Sequence, residues 1–165
     1  MPAKTLPLSL VQEMIDNYKA KQLLSILTNK INPMKFDAKS VWFDLETLKS
    51  FVNNIELEAA KHPEYDLKNF GVRIYYAAYP EKENWDQPGY EELAGMINDP
   101  VAKDYEKLHT VIAVPTAEIN GANQDFDPLD EKTYDGTKPT SIGSVIMAEN
   151  HGELVPPGTS VGNWF

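Results

Sequence analysis

Apolar and polar positions follow two periods along this chain, and each predicts a different element. From Val11 onward the apolar residues recur at helical spacing: Val11, Met14, Ile15 and Tyr18, then Leu23, Leu24 and Leu27. This predicts a first helix over 9–28. Ser9 and Gln12 stand at capping-box spacing, and Asn29 and Asn32-Pro33 stop the helix. The clearest stripe is Leu45, Leu48, Phe51, Val52, Ile55 and Ala59, which predicts a helix over 45–61 with one buried face. Asp44 stands where a carboxylate accepts the free N–H groups of a first turn. His62-Pro63 ends that helix, because proline pushes the residue before it out of the helical region. A short helix is predicted over 88–97, with Pro88 in its first turn and Tyr90, Leu93, Ala94 and Ile97 at helical spacing.

Elsewhere the period is two. Over 71–80, Val72, Ile74, Tyr76 and Ala78 fall on one face of a strand, and Arg73, Tyr75, Ala77 and Tyr79 on the other. The first is the expected core face, receiving helix 45–61. The second carries one fixed charge among phenols and is the expected binding face. A short strand is predicted over 40–43. Another over 108–116 is apolar on both faces in its middle, as a central strand is. A third runs over 141–149, and the turn Asn150-His151-Gly152 leads into a return strand over 153–155. Between them, 117–140 gathers turn formers and acids (Asn120-Gly121, Asp127-Pro128, Asp135-Gly136, Lys138-Pro139) and reads as a long loop.

These elements predict an α+β fold: a small mixed, mostly antiparallel sheet of four to five strands, with two to three helices and the main helix packed on one face. Strand 41–43, helix 45–61 and strand 71–79 have the order of a right-handed parallel unit. At 165 residues the chain fits one compact unit, an N-terminal helical segment 1–39 joined to an α+β domain 40–165.

Charge changes the picture. The net charge is −10, and it is unevenly spread. Residues 1–40 hold six lysines against three acids, whereas 41–165 hold nine basic and 22 acidic side chains. An acidic body lacks the basic footprint that nucleic acid requires. It suits a protein partner with a basic surface. The basic first helix could pack on this body or on a second copy, which predicts a homodimer through helix 9–28. No 18-residue apolar run is present, so no membrane contact is expected. The start lacks the apolar core of a secretory signal, and a cytoplasmic location is expected.

Candidate chemistry is sparse. Without cysteine there is no disulfide, thiolate metal site or cysteine nucleophile. The loop 123–131 gathers oxygen ligands (Asn123, Asp125, Asp127, Asp130, Glu131), but Pro128 stands where an EF-hand needs glycine. Glu149 and Glu153 flank His151 with the chemistry of a transition-metal site, although the turn breaks their alignment. A surface histidine beside acids is the plainer reading. His62 and His109 are isolated in sequence. The stretch 142–146 lacks the second glycine of a nucleophile elbow, and no glycine-rich phosphate loop occurs. No cofactor, metal ligand or catalytic residue is therefore assigned. The candidate binding residues are Arg73, Tyr75, Tyr79 and His151. Arg73 has a structural alternative, in which its stem packs on the sheet and its guanidinium pairs with an acid.

Four segments carry a resemblance: 41–56, 71–76, 109–116, and Asn150-His151-Gly152-Glu153-Leu154-Val155-Pro156-Pro157. Together they resemble a group of small uncharacterised bacterial proteins with a strand–helix–strand start and a Pro-Pro tail. The resemblance spans roughly 40–157. It implies one integral domain and brings no activity. The expected function is non-enzymatic binding or protein interaction. The alternative is a small enzyme or metal-binding domain with its site on the open sheet face or the C-terminal turn.

Overall fold

The computed structural model describes residues 5–31, 34–138, 146–150 and 152–155. Its fold is α+β, with three helices and five strands in two antiparallel sheets. Helix α1 runs over Leu8–Tyr18, continues as a π turn over Lys19–Leu23 and ends with Leu24–Leu27. The capping box does not form. Pro7 takes the cap position, Ser9 lies inside the helix, and Gln12 donates instead to Asp16 at 3.0 Å. No residue of α1 is buried, and Leu8, Leu10, Met14 and Leu24 are exposed.

Helix α2 spans Leu45–Ala59. Asp44 caps it as expected, its Oδ1 accepting the N–H groups of Glu46 and Thr47 at 2.9 Å each. Phe51, Ile55 and Ala59 are buried at helical spacing, whereas Leu45, Leu48 and Val52 are exposed. Half of the expected stripe thus finds no cover among the described residues. Helix α3 spans Glu91–Met96. Gly89 takes φ +89° just before it, so Pro88 falls outside the helix rather than in its first turn.

Strand β1 (Ser40–Trp42) pairs with β5 (Glu153–Val155), placing Val41 opposite Leu154. Among the described residues β5 thus pairs with β1 and not as the return arm of a hairpin with 146–149. Strand β2 (Lys68–Ala78) pairs antiparallel with β3 (His109–Ile119), which pairs with β4 (Ala122–Asp125). With β1 and β2 in separate sheets, the expected parallel unit does not exist. The long loop begins later than expected, because β3 runs on to Ile119 and turns back. Asn120 and Gly121 take φ +54° and +77°, the left-handed pair of a two-residue hairpin turn. Of the strand expected over 141–149, residues 141–145 lie outside the described residues. Glu149 exchanges both backbone hydrogen bonds with Ala113 at 2.9 Å.

Two core clusters result. In one, Phe51 and Ile55 of α2 join Ala113, Ala117 and Ile119 of β3 with Phe126 and Tyr134. In the other, Trp85 and Leu108 join Tyr79, Tyr105, Ala38 and Leu154, with Leu93 and Met96 of α3 packed against them. The second closes tightly over β1. A Cβ on Gly152 would lie 2.3 Å from Val41 Cγ1 and 2.8 Å from Phe43 Cζ. Gly152→Ala is expected to cost about 1–3 kcal/mol by overpacking. A urea midpoint equal to that of the parent protein would contradict this packing.

Candidate functional site

Strand β2 presents two faces, and the structure dresses them differently from expectation. Opposed residues of antiparallel strands share a face. Ile74 opposes Ala113 and Val72 opposes Pro115, so the apolar face of β2 continues the β3 face on which α2 packs. The footprint of the helix falls on β3, however. Val72, Ile74 and Tyr76 remain 40%, 63% and 93% exposed. The expected core face of β2 is an open surface. Alternation separates two faces, but it cannot say how far a helix reaches across a sheet.

The other face carries Arg73 and Tyr75. Arg73 opposes Val114, and Asp125 on β4 opposes Thr116, so the hairpin brings a carboxylate diagonally across β3. Arg73 Nη1 donates to Asp125 Oδ1, and the Tyr75 hydroxyl donates to Asp125 Oδ2. Arg73 Nη2 also donates to the Asn123 carbonyl at 3.0 Å. The Tyr75 hydrogen bond, and then the Asp125 charge, push the guanidinium pKa up. These residues line a cleft of about 720 Å³ with Phe126, Thr133 and Lys138. Their polar atoms satisfy one another, which is the pattern of a brace joining β2 to β4. Arg73→Ala is expected to lower the melting temperature by removing the cationic partner of Asp125 and leaving it only the Tyr75 hydroxyl. An unchanged melting curve would contradict the brace.

Two further carboxylates of the loop are also engaged. Asp127 is buried, and its Oδ1 accepts the N–H groups of Leu129 and Met147 at 3.1 Å each. Asp130 Oδ1 caps the turn Glu131–Thr133. Among the described residues, no three His, Asp or Glu side chains converge as metal ligands.

Tyr79 is placed apart from Arg73 and Tyr75. It is buried among Trp85 and Tyr105, with its phenol hydrogen-bonded to Thr110 and Asn150. His151 lies outside the described residues. His62 packs edge-on against Tyr134, 5.2 Å between centroids, with Nδ1 3.4 Å from both Glu64 and Glu131. His109 Nδ1 lies 2.5 Å from Oδ2 of the buried Asp37, not aligned as a hydrogen bond. Oδ1 of that carboxylate accepts the N–H groups of Ala38 and His109 at 2.8 Å. No described Ser or Thr hydroxyl bonds the imidazole, so the pair lacks the nucleophile of a hydrolytic triad. It ties the segment before β1 to the start of β3.

The phenols supply a pH signature. Tyr134 donates to the Pro128 carbonyl at 3.0 Å. Burial, and then Glu58, Asp127 and Glu131, push its pKa up to about 12. Tyr18, Tyr79 and Tyr105 are also raised, each first by burial. The folded state therefore holds these protons more tightly than the unfolded chain. Their contribution is full below pH 10 and is lost as pH climbs through the raised values. Stability is expected to hold to about pH 10 and then fall toward pH 12. Ultraviolet titration of the phenolates would check this. Simple ionisation of every tyrosine near pH 10 would contradict it.

The edge of β2 is the least satisfied part of the sheet. Ala113 spends its N–H and C=O on Glu149, and the Pro115 carbonyl accepts from Phe126 at 3.1 Å. Both strand residues thus point away from β2. Their partners Ile74 and Val72 form non-hydrogen-bonded pairs, whose own N–H and C=O groups face outward. Tyr76 follows by alternation. Among the described residues nothing pairs with these groups. The residues with bare apolar side chains are also those with free backbone groups.

No family model, curated protein or solved structure matches this chain.

Proposed function

We propose that this protein is a non-catalytic interaction domain that takes an extended polypeptide segment along β2. The observation that supports the reading is the 11-residue edge strand. Its outward N–H and C=O groups coincide with exposed Val72, Ile74 and Tyr76. Natural sheets protect such edges with charge, proline, bulges or a covering element. Between Phe70 and Ala78 the only charged residue is Arg73, and it is engaged by Asp125. Strand addition draws affinity from main-chain hydrogen bonds and specificity from alternate side chains. The acidic body selects an occupant that is apolar at alternate positions and basic rather than acidic between them.

A panel of extended peptides, apolar at every second position with either lysine or glutamate between, tests this reading. Lysine peptides should bind, weaken with added salt, and lose binding to Ile74→Pro, which removes one outward N–H. Equal binding of both peptide sets, or undiminished binding to Ile74→Pro, would count against it. The cleft beside Arg73 supports a second reading, a small-molecule or metal site on that face. A melting shift with a small carboxylate abolished by Arg73→Ala, or one with a divalent cation abolished by Asp125→Asn, would favour it.

A further inference from the structure

We infer that the segment taken up by β2 is the β2 strand of a second copy of this chain, paired antiparallel about a two-fold axis at Ile74. The inference rests on the interaction reading above and names its occupant. Strand β2 has the chemistry that its own edge calls for. It is extended, apolar at alternate positions, and carries no acid; its only charged residues are Lys68 and Arg73, already paired with Asp66 and Asp125.

The register follows from the outward groups. A two-fold axis at Ile74 makes Ile74 and its symmetry mate a hydrogen-bonded pair, using the N–H and C=O that point away from β3. Val72 then opposes Tyr76 of the other copy, and Tyr76 opposes Val72. Aromatic and β-branched residues so opposed are favourable cross-strand pairs. On the cleft face Arg73 opposes Tyr75, and each Arg73 keeps its own Asp125. An axis at Arg73 would set two guanidinium groups directly opposite, which is unfavourable. The Ile74 axis avoids this.

The pairing joins two three-stranded sheets into one of six, and it covers the β2 edge of both chains. It also merges the two open apolar faces into one strip of Val72, Ile74 and Tyr76 from each copy. A closed symmetric pair is the commonest arrangement for homo-oligomers.

Disulfide trapping in the full chain tests the register, because the chain has no cysteine of its own. In a hydrogen-bonded antiparallel pair the Cα atoms lie about 5.5 Å apart, within the roughly 4.4–6.8 Å that a disulfide spans. Ile74→Cys should oxidise to a covalent dimer many times faster than Leu129→Cys, an exposed control. Val72→Cys alone should trap poorly, and Val72→Cys with Tyr76→Cys should trap well. Sedimentation should show the parent chain shifting to twice its mass as concentration rises. Ile74→Pro and Tyr76→Glu should both stay monomeric with unchanged folding by circular dichroism.

A chain that stays monomeric at every concentration but binds the lysine peptides at β2 overturns the second copy and leaves the interaction reading standing. A monomer that binds no peptide overturns both. Equal trapping at Ile74 and Leu129 overturns the register and the two-fold axis together.

Discussion

Replacing Trp85 with alanine is expected to remove about 3–5 kcal/mol of stability, the cost of deleting a buried large aromatic side chain. Trp85 is fully buried at 0% exposure. Its indole Nε1 donates to the Pro80 carbonyl at 2.9 Å, and its ring lies 6.4 Å from that of Tyr79. The substitution therefore opens a cavity where the segment after β2, the 102–108 turn and β5 meet, and it leaves the Pro80 carbonyl without its donor. Total stability is about 5–15 kcal/mol for a domain, so one side chain supplies a large share. Urea unfolding checks the effect. Trp42 is half exposed on β1, and Trp42→Ala measured on the monomer should stay within about 0.5 kcal/mol. Equal losses for the two tryptophans would contradict the second core.

Ile55→Ala is expected to cost about 2–5 kcal/mol. Ile55 is the most deeply buried residue of α2 and stands in one cluster with the β3 side chains. Leu45 belongs to the same sequence stripe, yet it is exposed at the start of the helix. Leu45→Ala should therefore change stability by about 0.5 kcal/mol or less. A large loss for Leu45→Ala would show that the helix reaches farther over the sheet than its burial indicates. It would also close part of the apolar face on which the interaction reading depends.

The two helix variants also show how much of the architecture was legible in the sequence. Helix periodicity and the Asp44 cap located α2 to within a residue or two, because both are local signals. The α+β class followed from the mixture of periods. Asn120-Gly121 carried a turn signal in the sequence, but not the hairpin that it closes. It lies between residues that continue the strand alternation, and it marks the hairpin that brings Asp125 to Arg73. Reading 117–140 as one loop hid that pairing, because the acids around the turn outweighed the turn itself. Non-local choices were out of reach. Nothing in residues 40–43 or 153–155 announces that they pair with each other. The Asp37–His109 contact joins residues 72 positions apart. The exposure of Val72, Ile74 and Tyr76 depends on where a helix footprint ends, and a pattern of period two carries no such information.

For the site itself, alternation set Arg73 and Tyr75 on one face, where the structure has them, and set Tyr79 there too, which the structure buries elsewhere. The partner shared by Arg73 and Tyr75 needed the fold. The open surface lies on the opposite face of the same strand, where an apolar pattern pointed to burial.

Amide hydrogen exchange along β2 tests the central claim most directly. In dilute protein the Gly71, Arg73, Tyr75 and Ala77 amides should exchange slowly, being bonded to β3. Those of Val72, Ile74 and Tyr76 should exchange fast. As protein concentration rises, or as the lysine strand peptide is added, the fast set should become as protected as the slow set. A contradiction would be Val72, Ile74 and Tyr76 already protected in dilute monomer, or still fast at every concentration and with every peptide.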